Sequence, residues 1–198
     1  MSDRPWFDLF EQANRIFVGV GDLLRDTDRL LENRGFKSAH AYRSVGTEGS
    51  THLDQPWVWM PAWFVRYYTH ESTPSSLVYV SVFLHDRGGK EDWATKARLY
   101  EPVVVAGVIR GAGPELPKWN YWNCKHWFWS DGTADGEPVT ATFEPKKSDD
   151  QKSNQSFGVK LDRIKSLADL DQNVITPLLA LAERRIGSDT GLARQDES

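Results

Sequence analysis

Residues 77–85 read Leu-Val-Tyr-Val-Ser-Val-Phe-Leu-His, and residues 102–110 read Pro-Val-Val-Val-Ala-Gly-Val-Ile-Arg. Runs this rich in β-branched and aromatic residues predict buried strands. Weaker strand patterns occupy residues 36–45, 57–68, 137–144 and 157–164. Because turn-length connections join many of these runs, we expect a mostly antiparallel sheet of six or seven strands.

A long amphipathic helix is predicted before the strands, over residues 6–34. Its apolar positions recur at steps of three, four and seven, and so share one broad face: Leu9, Phe10, Ala13, Ile16, Phe17, Val20, Leu23, Leu24, Thr27, Leu30 and Leu31. Gly35 supplies a stop signal. A helix of this length measures about 43 Å. We expect it either to lie along the whole sheet or to pair with a partner helix, which makes a homodimer one expected assembly.

Two glycines, Gly19 and Gly21, complicate this helix, since each destabilises a helix interior by about 1 kcal/mol. They predict a kink or a close helix crossing. The alternative makes residues 15–20 a strand and residues 19–21 a phosphate-binding turn, but the full glycine fingerprint is absent.

Mixed charges cover the face of this helix opposite the apolar stripe: Asp22, Arg25, Asp26, Asp28, Arg29 and Glu32. Their spacing predicts a solvated face with i,i+3 ion pairs. The alternative reading makes Asp22 and Asp26 metal ligands, and we do not expect a metal site here.

A second helix is predicted near the end of the chain, with Asp171 as its cap and its end at about Ile186. Pro177 either kinks this helix or begins it. The fold class is therefore α+β, with both helices packed on the sheet. We expect one domain over residues 1–187, a mobile polar segment near 146–156, and a disordered tail over 188–198.

The composition limits the class of function. The chain has 198 residues, of which 39% are hydrophobic and 26% charged, and its net charge is −4. This charge gives no electrostatic reason to expect nucleic acid as a partner. One cysteine, no signal-peptide pattern and no long apolar run predict a cytoplasmic protein without membrane spans.

An aromatic stretch, residues 119–129, reads Trp-Asn-Tyr-Trp-Asn-Cys-Lys-His-Trp-Phe-Trp. As a strand it carries aromatic and polar groups on both faces, which predicts a strand covered on both sides. The covering layer is a helix, a loop, another chain or a ligand. Indole rings beside amides favour a binding surface or pocket. The candidate binding residues are Trp57, Trp59, Trp119, Trp122, Asn123, Trp127 and Trp129.

Cys124 and His126 are the candidate catalytic residues, since residues two apart on a strand point the same way. A buried thiol beside a hydrogen-bonded histidine explains the same pattern. We therefore expect a non-enzymatic binding or adaptor protein, without cofactor, that uses its Trp-rich surface to engage a partner protein or a small ligand. The alternative is a small enzyme with a cavity between sheet and helix and His126 as its acid–base.

Overall fold

A computed structural model of the protein describes residues 5–39, 45–47, 61, 63–72, 76–84, 102–110, 139–143 and 152–183. The helix α1 spans Pro5–Glu32. The strands are β1 (Phe36–Ser38), β2 (Gly46–Thr47), β3 (Trp63–His70), β4 (Ser76–Phe83), β5 (Val103–Arg110), β6 (Val139–Phe143) and β7 (Lys152–Lys160). The last elements among the described residues are a 3-10 turn (Leu161–Arg163), α2 (Leu167–Leu170), a π-helical turn (Asp171–Ile175) and α3 (Thr176–Glu183). The chain is α+β, as the sequence predicts.

The strands form one antiparallel sheet. Its order is β1-β3-β4-β5-β7-β6, and β2 pairs with β3 outside this path. The central strands β4 and β5 pair from Ser76 opposite Arg110 to Phe83 opposite Val103. These two strands carry the clearest strand patterns in the sequence, because strands buried on both faces are apolar throughout.

Both helical regions pack on one face of the sheet. Apolar residues from α1, α2, the π-helical turn and α3 share one core cluster with alternate residues of the strands, among them Tyr68, Val80, Val104 and Phe157. The strand residues that alternate with these, such as Trp63 and Tyr79, are also buried but do not belong to that cluster. Within the described part of the chain, the helices therefore cover one face only.

The C-terminal helical region begins earlier than predicted. Ser166 caps α2, since its Oγ accepts a hydrogen bond from the Asp169 backbone N–H at 3.1 Å. Asp171 does not cap the start of this region as predicted, and its carboxylate instead receives two hydrogen bonds from Arg34, at 2.7 and 2.9 Å. Pro177 lies two residues after the π-helical turn. A wider turn there is compatible with a proline, which lacks the N–H that a regular helix uses.

Helix α1 is continuous through both glycines, so the phosphate-binding turn at residues 19–21 is wrong. The packing of the apolar face of α1 on the sheet offsets the destabilising effect of the two glycines. Gly35 follows the helix with a φ of 83°, as expected of a C-terminal stop. Strand β7 includes five residues of the polar segment predicted near 146–156, because ladder hydrogen bonds do not require apolar side chains. None of the helices described has the length and apolar run needed to cross a bilayer.

Candidate functional site

The residues predicted from the sequence to form the site lie outside the described residues. These are the partner-binding candidates Trp57, Trp59, Trp119, Trp122, Asn123, Trp127 and Trp129, and the catalytic candidates Cys124 and His126. Their roles stay predictions. A described tryptophan, Trp63, is buried and stacks on Phe83 with ring centroids 6.0 Å apart, so it fills space within the fold.

The N-terminal half of α1 exposes three residues of the apolar stripe. Leu9, Phe10 and Ile16 are 55%, 72% and 52% exposed. They belong to the same stripe as Val20 and Leu24, which are buried on the sheet. One amphipathic face therefore has a covered half and an uncovered half, and we call Leu9, Phe10 and Ile16 the exposed stripe.

The lengths of the elements explain this division. Helix α1 has 28 residues and is about 42 Å long. Strands β3, β4 and β5 have eight residues each and are about 26 Å long. Phe17 packs edge-on against Phe64 near the start of β3, with ring centroids 5.9 Å apart. Residues of α1 before Phe17 thus project past the end of β3.

A buried polar network fixes the covered half of α1 to β3. Arg66 donates from Nε and Nη2 to the Asp28 carboxylate at 3.0 and 2.9 Å, and from Nη2 to Ser38 Oγ at 2.8 Å. Tyr68 donates its hydroxyl to Asp28 at 2.7 Å. Burial, then the nearby Asp28 charge, hold the pKa of Tyr68 far above its usual range. The network satisfies each of these buried groups and determines how α1 is rotated on the sheet.

A groove of about 580 Å³ runs beside the exposed stripe. Its α1 side includes Ile16, Gly19 and Leu23, and its opposite wall includes Ile164 and Leu167. A Cβ added at Gly19 would meet no atom within 4 Å, so this side of the helix is open. Because Ile16 belongs to both, the exposed stripe and the groove form one surface, which we call the α1 surface.

The charged face of α1 forms the predicted i,i+3 ion pairs. Arg25 pairs with Asp22, and Arg29 lies 3.4 Å from Asp26. No group of three or more His, Cys, Asp or Glu residues that could hold a metal occurs among the residues described. Asp28 is the exception to the prediction, because it turns toward the sheet instead of solvent.

A histidine–serine contact lies at the end of β3. The Ser72 hydroxyl lies 2.6 Å from His70 Nδ1, and the Ser72 backbone N–H donates to the same nitrogen at 3.2 Å. Since an N–H can only donate, Nδ1 accepts, and the neutral ring carries its proton on Nε2. Nε2 faces the Cα of Gly35, where an added Cβ would lie 2.9 Å away. The contact closes an exposed turn. Among the described residues, none accepts a hydrogen bond from Nε2, so none holds the ring in the orientation that a catalytic base needs.

The sequence contained one signal for the α1 surface that periodicity alone does not reveal. The apolar stripe from Leu9 to Leu31 is about 33 Å long, about 7 Å longer than an eight-residue strand of about 26 Å. Periodicity identifies the residues that face a neighbour but does not identify the neighbour.

No family model, no curated protein and no solved structure matches the chain.

Proposed function

We propose that the protein is a non-enzymatic binding protein whose α1 surface receives an amphipathic helix. The main support for this proposal is the exposure of Leu9, Phe10 and Ile16, which belong to the same apolar stripe as the buried Val20 and Leu24. Contiguous apolar surface on a folded protein is typical of a place where a partner binds. A homodimer through α1 is one form of this binding.

Helix physics supports an α-helical occupant. A helix packs on another by inserting its side chains into the grooves of the neighbour. The α1 surface offers both parts of such a contact, an exposed side chain at Ile16 and a groove lined by Gly19 and Leu23 beside it. Burying the exposed stripe also stabilises the first three turns of α1, since an isolated helix of about 15 residues is marginal in water.

The predicted Trp-rich surface is, in this proposal, a second contact with a partner protein or a small ligand. A single cysteine and a net charge of −4 support a cytoplasmic location without nucleic acid as partner. The alternative is an enzyme that uses His126, and none of the described residues supports it.

Site-specific photo-crosslinking tests the proposal. A photoreactive phenylalanine analogue replaces Phe10 or Ile16 in the 198-residue chain, inside cells that express it. The matched control is Val18, which is 53% exposed on the same helix but points about 140° away from Ala13 on the stripe. We expect covalent adducts from positions 10 and 16 and none from position 18. Equal adduct formation from all three positions, or none from positions 10 and 16, contradicts the proposal.

A further inference from the structure

We infer that a cavity between α3 and the edge of the sheet binds a small amine that carries an aromatic ring. The cavity encloses about 360 Å³. Its walls come from the segment that joins α1 to β1, from the end of β3, and from α3. It shares no lining residue with the groove beside α1, so this inference stands independently of the helix that we propose there.

The size and the apolar lining of this cavity are typical of a small-molecule site. Such sites enclose about 300–1,000 Å³ and have mostly apolar walls with a few polar groups. Here Phe36, Leu179 and Ala182 form the apolar part, and all three are partly buried against the core. Because the cavity lies near the lower end of that range, its occupant is a single ring with a short chain.

Hydrogen bonds hold the polar walls of the cavity in place. Arg34 donates from Nη1 to a backbone carbonyl oxygen of α1 at 2.9 Å, and from Nη2 to the Asp171 carboxylate at 2.7 and 2.9 Å. In the opposite wall, the Ser72 backbone N–H donates to His70 Nδ1 at 3.2 Å. Because these groups are fixed before a ligand arrives, binding requires little further ordering of side chains.

The charges around the cavity favour a cation. The Asp171 carboxylate already compensates the positive charge of Arg34. His70 is neutral, since its Nδ1 accepts a hydrogen bond. Glu183 also lines the cavity, and none of the ion pairs among the described residues involves it. One negative charge therefore remains at the cavity, and an ammonium group complements it.

The rings in the wall favour an aromatic group on the same ligand. The ring centroids of Phe36 and His70 are 4.8 Å apart, and both residues line the cavity. Contacts between rings stabilise by more than the burial of their area alone. The face of a phenylalanine ring also attracts an ammonium group that lies within about 6 Å of its centroid. An aromatic amine thus uses the ring wall and the carboxylate together.

NMR titrations of the 198-residue chain with matched probes test the class of ligand. The probes are 2-phenylethylamine, 2-phenylethanol and 3-phenylpropionate, which carry the same ring but end in a cation, a neutral hydroxyl and an anion. We expect 2-phenylethylamine to shift the amide signals of Ser72, Leu179 and Ala182, with a dissociation constant on the order of millimolar. The alcohol binds at least about threefold more weakly, and the acid more weakly still. Absence of these shifts, or binding of the acid as tight as that of the amine, overturns the inference.

Two variants locate the site. Ala182→Leu fills the cavity from α3 and is expected to weaken binding of 2-phenylethylamine at least about tenfold. Glu183→Gln removes the carboxylate and is expected to weaken it about threefold, as for an exposed ion pair. The matched control is Asp162→Asn, which removes the same charge at an exposed position outside the cavity and leaves binding unchanged.

The control separates this site from a general attraction of cations to the net charge of −4. Equal weakening by Glu183→Gln and Asp162→Asn, or unchanged binding to a folded Ala182→Leu variant, overturns the site. Circular dichroism establishes that each variant is folded. If Ala182→Leu does not fold, the comparison of the probes on the wild type still decides the class of ligand, and the two charge variants still decide the place.

Discussion

Replacement of Asp28 by alanine is expected to destabilise the fold by about 3–5 kcal/mol. The side chains of Arg66 and Asp28 are only 3% and 15% exposed, and two hydrogen bonds of 3.0 and 2.9 Å join them. Removing the carboxylate leaves the Arg66 guanidinium buried without its counter-charge, which is the costly way to break a buried pair. For a domain of this length, the melting temperature falls by about 6–20 °C.

Urea unfolding followed by tryptophan fluorescence measures the effect, with Asp26→Ala as the matched control. Asp26 lies on the same helix and pairs with Arg29 at 3.4 Å, but their side chains are 43% and 60% exposed. Its loss changes the free energy of unfolding by about 0.5 kcal/mol or less. The combined change Asp28→Leu, Arg66→Met and Tyr68→Phe removes both charges together with the buried hydroxyl that donates to Asp28, and is expected to recover stability to within about 1 kcal/mol of the wild type. Equal small effects of Asp28→Ala and Asp26→Ala refute the reasoning.

Three further predictions follow from local geometry. Because the folded-state pKa of Tyr68 is raised by burial and by the neighbouring carboxylate, folding opposes its ionisation. The free energy of unfolding therefore falls as the pH rises above about 10, and Tyr68→Phe reduces that slope in urea titrations at pH 9 to 11. Gly35→Ala lowers the free energy of unfolding by more than about 1 kcal/mol in thermal melts, since the φ of Gly35 is 83° and a Cβ would lie 2.9 Å from a histidine ring nitrogen. Gly21→Ala raises it by about 0.5–1 kcal/mol in the same melts, because a Cβ there would meet no atom within 4 Å. Hydrogen bonds from the Ser166 hydroxyl, then from a backbone N–H, lower the pKa of Asp169, so an NMR titration of Ser166→Ala is expected to show that pKa closer to its usual value.

Local patterns in the sequence predicted the helices and strands. They could not predict side-chain contacts between residues far apart in the chain. The stripe of α1 and the apolar runs of β4 and β5 were predictable, since each follows from the period of a single element. Asp28 was assigned to the solvated face with its charged neighbours. Its partner Arg66 lies 38 positions away, and only the packing of α1 across β3 brings the two together. The same limit applies to Asp171, whose partner Arg34 is 137 positions away.

The exposed stripe and the buried ion pair are connected through the rigidity of α1. Apolar contacts hold the stripe of α1 against the sheet, but they are non-directional and so tolerate small rotations of the helix about its axis. The bidentate bond between Asp28 and Arg66 is directional, and the Tyr68 hydroxyl binds the same carboxylate from the same strand. Since α1 is continuous from Pro5 to Glu32, fixing its rotation at Asp28 also fixes the direction in which Phe10 points, 18 residues and about 27 Å away. The ion pair therefore sets the orientation of the exposed stripe, and with it the direction from which the helix that we propose as its partner would have to approach.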